Sequence, residues 1–196
     1  MDKFKKFEKY KALKYLHIFN SGAVVRFGKE IIGNAVRPGL CMYGMLGNEK
    51  IDGFKSVFEM KGRIIYNRTV DEDTPISYGR TATLKKGDTF ATLSVGYADG
   101  LKRDFSNKMY VLVCGEKCPI IGTICMDMCM IRLPQNIVDK VKIGEEAIIY
   151  NDVIINDIQA DSTCSWEILT GIGRRVYRQY MKNGKVYKTV RWISEK

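Results

Sequence analysis

The sequence predicts a mainly β protein: an antiparallel β-barrel domain over residues 51–196, preceded by a remnant of a β/α barrel over residues 1–50. Two observations carry that prediction. From residue 54 onward, short apolar runs alternate with Gly, Asp, Asn and Pro, the pattern of strands joined by tight turns. Before residue 50, two apolar strands each run into small residues with a short segment between them, as successive units of a β/α barrel do.

In chain order, residues 3–16 are rich in Lys, Phe and Tyr and predict a helix with Phe4, Phe7, Leu13 and Leu16 as its apolar positions. Residues 16–23 predict a short apolar strand with Asn20 and Ser21 at its end, and residues 33–44 a second strand bearing Arg37 and ending in glycine. Two strands cannot close a barrel of eight, so this part is expected to be the tail of something larger. The domain boundary is expected near residues 47–54.

The β domain is read as strands at 57–66, 81–84, 89–95, 109–114, 119–124, 128–133, 147–150 and 153–155, with turns at Lys86-Gly87-Asp88 and Gly115-Glu116-Lys117. One helix is expected over 162–170, capped by Asp161 or Ser162 and stopped by Gly171. A hairpin over 176–192 turns on Asn183-Gly184, a pair suited to type I′. There is no internal repeat.

Composition narrows the functional classes. A chain of 196 residues that is 45% hydrophobic and 28% charged can bury a sizeable core. No apolar run approaches the roughly 20 residues that cross a bilayer, and the first fifteen residues lack a signal-peptide core. No membrane partner is expected, and the expected compartment is the cytoplasm. The net charge of +10 sits at the ends: residues 1–15 carry six lysines against Asp2 and Glu8, and residues 174–196 carry eight Lys/Arg against Glu195. A basic β barrel gripping nucleic acid or another anion is the rival functional class. It predicts basic and aromatic residues interleaved on one sheet face rather than charge at the termini, so no nucleic-acid partner is expected.

Six cysteines include two CxxxC pairs, Cys114/Cys118 and Cys125/Cys129. Read as positions four apart along strands, each pair spans about 13 Å, too far for one zinc ion, and no metal is expected. They are read as buried, reduced thiols.

The stretch at residues 91–100, ATLSVGYADG, organises the domain. Ala91, Leu93 and Val95 alternate toward a core, and Gly96 and Gly100 flank Tyr97 and a tight acidic turn. Tyr97 is either a packed corner tyrosine or a phenol held out toward a partner. Asn20 and Ser21 offer an amide and a hydroxyl to phosphate oxygens, and Gly39 and Leu40 offer backbone N–H groups at close range.

The segments HIFNSGA, VRPGLCMYG, ISYGRTA, ATLSVGYADG, GTICMDM and GRRVYRQY, in that order and spacing, resemble the bacterial alanine racemases. The resemblance covers essentially the whole chain but only the second half of a complete racemase. It implies an isomerase dependent on pyridoxal 5′-phosphate (PLP), a head-to-tail homodimer of a β/α barrel and a β domain, and a small amino-acid substrate, alanine or serine. Matched position by position, Tyr97 looks like the tyrosine base acting on the cofactor of the other subunit. Met126 looks like the residue whose N–H meets the substrate carboxylate, with Asp127 supporting it. Asn20, Ser21, Gly39 and Leu40 match phosphate contacts, Arg37 the arginine on the pyridine nitrogen, and His17 its support. Two departures stand out. The lysine that binds the cofactor covalently has no counterpart, so the chain alone is expected to be inactive. Arg174 stands where many members have a tyrosine against the phosphate, and Tyr177 where they have proline.

Overall fold

A computed structural model describes residues 2–10, 12–30, 32–45, 53–159 and 165–191. The N-terminal segment departs from the sequence expectation. Helix α1 covers only Asp2–Lys5, and 3-residue turns follow it. Phe7, Tyr10 and Leu13 are all exposed, so no apolar surface supports a longer helix, and Lys5 and Lys9 would stack like charges one turn apart.

The strand expected over 16–23 is not formed: residues 16–19 carry no regular element, Asn20 is extended at φ −86° and ψ −176°, and helix α2 (Ser21–Phe27) follows. Asn20 caps α2, its Oδ1 accepting from the Ala23 amide at 3.0 Å. The chain then returns so that Arg37 pairs in parallel with Asn20, the Arg37 amide donating to the Phe19 carbonyl at 2.7 Å. The second predicted strand is extended only about that pairing. Leu40–Tyr43 is a 3₁₀ turn, ended by Gly44 at φ 73°. Any Cβ at Gly44 would lie 2.1 Å from the Lys55 carbonyl oxygen, so glycine is required there twice over. Most of the expected boundary region, residues 46–52, lies outside the described residues.

Next comes the β domain. Its strands are β1 (Met60–Thr69), β2 (Thr74–Ile76), β3 (Ala82–Leu84), β4 (Thr89–Leu93), β5 (Tyr110–Val113), β6 (Glu116–Ile121), β7 (Cys129–Leu133) and β8 (Glu146–Tyr150). Six of them close a barrel in the order β1-β4-β7-β6-β5-β8, every pairing antiparallel. Closure is made by β1 against β8, with Met60 opposite Tyr150. Alternation fills the interior: Ile64, Ala91, Leu93, Val111, Val113, Cys118, Ile131, Ala147 and Ile149 are all buried. The barrel predicted from alternation is therefore present.

Three local readings change. The short pair β2–β3 packs Ile76 and Leu84 with Val70 and Ile121 outside the main core, and β2 was missed. Residues 153–155 are not a strand. They belong to helix α3 (Asp152–Gln159), started by the Asn151 side chain accepting from the Ile154 amide at 2.9 Å. Ile154, Ile155 and Ile158 then form one buried helical face. The β5–β6 turn is Cys114-Gly115, with φ of 51° and 83°, a type I′ corner one residue earlier than expected.

Helix α4 spans Ser165–Gly171, and its expected caps, Asp161 and Ser162, lie outside the described residues. The final hairpin, β9 (Arg178–Lys182) and β10 (Lys185–Val190), turns on Asn183 and Gly184 at φ 51° and 73°. Among the described residues no helix is long and apolar enough to cross a membrane.

Candidate active site

At the end of β4 the chain leaves the barrel and is locked at once. The Gly96 amide donates to Asp99 Oδ2 at 2.9 Å, and the Asp99 amide donates back to the Gly96 carbonyl at 3.0 Å. This closes the ADG turn by local side-chain bonding. On the other side, the Tyr97 and Ala98 amides donate to the carbonyls of Cys125 and Met126, each at 3.0 Å. The Tyr97 segment and the Met126 loop are thus one hydrogen-bonded unit, which places the two sequence-predicted residues together. Tyr97 is 43% exposed, a phenol held outward rather than packed into a corner.

A second phenol faces the same cleft. Tyr78 sits in the loop joining β2 to β3, 73% exposed. Its neighbours Ser77, Gly79 and Arg80 all have positive φ, 62°, 74° and 50°. For serine and arginine that conformation is strained. The strain is held by hydrogen bonds into the Met126 loop: Ser77 Oγ donates to the Thr123 carbonyl at 2.5 Å, and Thr123 Oγ1 donates to the Tyr78 carbonyl at 2.9 Å. Asn107 braces the same place, accepting from the Gly122 amide at 2.6 Å and donating to Thr81 Oγ1 at 3.2 Å.

The resulting cleft is lined by Tyr78, Tyr97, Arg103, Cys125, Met126 and Met128 among others. It offers two phenol oxygens, a guanidinium and thioether surface at one barrel rim. Sequence reasoning singled out Tyr97 and Met126 but not Tyr78 or Arg103. Strand β2 pairs with β3 and makes ISYGRTA a hairpin tip, and it is this pairing that carries Tyr78 to the rim.

Asp127, predicted as a support, is engaged by a residue the sequence did not mark. Arg175 Nη2 lies 2.6 Å from Asp127 Oδ1, while its Nε donates to Asp99 Oδ1 at 2.7 Å. These hydrogen bonds hold the guanidinium above its already high basicity.

The second group of predicted residues lies on the N-terminal segment. Arg37 Nη1 is 2.8 Å from His17 Nδ1 and 3.3 Å from the His17 carbonyl. Arginine can only donate, so Nδ1 is the acceptor. Ser21 Oγ accepts from the Gly39 amide at 2.7 Å and from the Cys41 amide at 3.5 Å. Asn20, Ser21, Arg37 and Gly39 are therefore gathered by the parallel pairing, with Leu40 next in the chain. None of these residues lines the cleft of Tyr97. A hydroxyl, backbone amides and an arginine gathered by one strand pairing suit an anionic group. Gly39 leaves room for it, since the nearest atom to a Cβ there would be Ser21 Oγ at 3.6 Å.

The cysteines need a correction. Neither pair lies along one strand: Cys114 is in the β5–β6 turn with Cys118 on the returning strand, and Cys125 precedes β7 in a turn closed by its amide on the Met128 carbonyl at 2.9 Å. Cys118 and Cys129 are buried, and burial pushes both thiols up to about 12. Cys114 is exposed and Cys125 half-buried in the cleft. Among the described residues no cluster of three metal-ligating side chains occurs.

The family model of the alanine racemase C-terminal domain matches residues 57–180, which contain the whole cleft. The chain belongs to the alanine racemase family. It is 44% identical over 178 residues to the alanine racemase of Fusobacterium nucleatum subsp. nucleatum, covering 91% of this chain and 50% of that one. The chain thus spans about half the length of the curated relatives it matches. Among solved structures, it resembles the Bacillus anthracis alanine racemase with bound L-Ala-P, with a TM-score of 0.82 and 29% identity over 98% of this chain and 51% of that one. It also resembles the Bartonella henselae alanine racemase with covalently bound pyridoxal phosphate, with a TM-score of 0.71 and 29% identity over 87% of this chain and 48% of that one.

Proposed function

We propose that this chain supplies the acid/base cleft and part of the cofactor cradle of a PLP-dependent alanine racemase, interconverting L- and D-alanine by proton transfer on both faces. The observation that carries this is the pinning of Tyr78, Tyr97 and the Met126 loop to one another at a single rim. The L-Ala-P and pyridoxal phosphate of the two solved relatives support the choice of substrate and cofactor.

In this reading residues 1–50 are the end of a β/α barrel and residues 51–196 the C-terminal β domain. Ser21, Asn20 and the Gly39 and Leu40 amides would hold the cofactor phosphate, the Gly39 amide exchanging its bond to Ser21 Oγ for one to the phosphate, and Arg37, steadied by His17, would donate toward the ring nitrogen. When bound, the cofactor delocalises the charge left by the departing α-proton. The Met126 N–H takes the substrate carboxylate, with Asp127 supporting its loop. The cofactor residues do not line the cleft of their own chain, and the resemblance to head-to-tail dimers supports a homodimer in which each cradle faces the other copy's cleft. The lysine that anchors the cofactor comes from sequence with no counterpart here, so the 196-residue chain alone does not turn over.

The family resemblance assigns one proton transfer to Tyr97, and the geometry offers Tyr78 as a rival. Backbone strain is retained where a site needs it, and it is concentrated around Tyr78. That favours the Tyr78 phenol as the base, with Tyr97 flanking it. The test is a chimera joining the N-terminal half of the Fusobacterium nucleatum relative to this chain, assayed for alanine racemisation. The chimera should racemise. Tyr78→Phe should lower kcat by roughly 10²–10⁴-fold, and Tyr97→Phe by less. The reverse order returns the base to Tyr97. A folded, cofactor-loaded chimera that does not racemise, or that is indifferent to both substitutions, ends the proposal.

A further inference from the structure

We infer that Arg175 is a positioning residue, a two-carboxylate clamp that sets the Tyr97 turn and the Met126 loop at a fixed separation. Its consequence for turnover rests on the racemase reading; the clamp itself does not.

Each arm has a different character. Asp99 is committed to its own turn, with one oxygen accepting from the Gly96 amide and the other from Arg175 Nε. Its side chain is only 13% exposed. Asp127 follows Met126 directly and is 55% exposed. An ion pair that open to water contributes little to stability, so the Asp127 arm is poorly explained by folding alone. What it does is join the loop of Met126 to the turn of Tyr97 by side chains, in parallel with the backbone bonds from the Tyr97 and Ala98 amides.

The platform beneath Arg175 is densely hydrogen-bonded. Arg178 donates to the carbonyls of Ile172, Gly173 and Val176, tying down the segment from which Arg175 projects. The Gly173 amide donates to the Asp99 carbonyl at 2.9 Å, and a Cβ at Gly173 would lie 2.6 Å from the Ala98 carbonyl. The clamp arm thus starts from backbone already pressed onto the ADG turn. A planar guanidinium presents Nε and Nη2 in fixed directions to two carboxylates at once, whereas a lysine ammonium is a single point charge on a flexible stem.

The experiment is residue-resolved amide hydrogen exchange on this chain, without substrate or cofactor, so its outcome is independent of whether the chain serves a racemase. Arg175→Gln should speed exchange of the Tyr97 and Ala98 amides at least about tenfold while barrel amides such as Ala91 and Ile131 keep their protection. Arg175→Lys should not restore it. Asp127→Asn, which removes only the exposed arm and leaves the fold's buried contacts intact, should accelerate the same two amides by a smaller factor. Exchange at Tyr97 and Ala98 unchanged within about twofold in both Arg175→Gln and Asp127→Asn overturns the inference. So does full rescue by lysine, or acceleration spread evenly over the barrel in Asp127→Asn.

Discussion

Gly96 lies so close to Met126 that a Cβ on it would come within 2.3 Å of the Met126 carbonyl oxygen. The Cys125 carbonyl would be equally near. Both obstacles are backbone and cannot rotate away. The contact explains why the two halves of the cleft can exchange amide hydrogen bonds at all.

Gly96→Ala should therefore cost stability in the range of overpacked cores, about 1–3 kcal/mol, read as a lower urea midpoint. Gly62→Ala is the comparison, because a Cβ there meets the Val95 side chain rather than backbone. A rotatable methyl can yield, so its midpoint should fall less. Equal losses would mean that backbone approach is not what fixes the cleft.

Cys118 and Cys129 should resist alkylation in the folded chain near pH 8. Desolvation raises both thiols to about 12, leaving almost no thiolate to react. Cys114, exposed in its turn, should be modified first. Mass spectrometry before and after denaturation reads the order.

Tyr150 is buried, and its hydroxyl donates to the Gly100 carbonyl at 3.2 Å. Burial also raises its phenol. Tyr150→Phe leaves that carbonyl without the bond and should cost about 1 kcal/mol. In a spectroscopic titration of the native chain, the variant should lose no phenolate signal below the alkaline unfolding transition.

Asp157 accepts from the Tyr110 hydroxyl at 2.5 Å and from Lys117 at 3.1 Å. The Tyr110 bond first, then Lys117, lowers its carboxyl below the ordinary range. A lowered carboxyl gives stability that is present above its unfolded value of about 4 and lost as pH falls through the folded value. Asp157→Asn should destabilise the chain at pH 7 by no more than about 1 kcal/mol, since the pair is solvent-exposed. The difference from the parent chain should shrink in acid, and a constant gap would remove the ionic explanation.

The barrel was legible because one side of each strand is buried. Thr89, Ala91 and Leu93 face inward and alternate with less buried neighbours, which is the signal periodicity detects. Val153, Ile154 and Ile155 gave no such signal. A three-residue β-branched run fits either element, and the Asn151 cap decided for helix. The N-terminal helix was overread because its apolar spacing has nothing to pack on.

Tyr97 and Met126 could be found from local motifs. Arg175 could not, because its partners are 76 and 48 positions away and only the folded barrel brings them near. Tyr78 was visible in ISYGRTA but lacked a reason to be singled out. That reason, a run of left-handed backbone at a hairpin tip, is a property of φ angles that composition does not report.

Met60 opposite Tyr150 means that the polypeptide enters and leaves the barrel at one spot. Residues 61–149 are thus an excursion whose two ends meet, held from outside by Arg175 on Asp99 and Asp127 and by the Gly173 amide on the Asp99 carbonyl. A graft between homologues therefore meets its host at two adjacent backbone junctions, and it must bring the Arg175 segment along or the cleft loses its clamp.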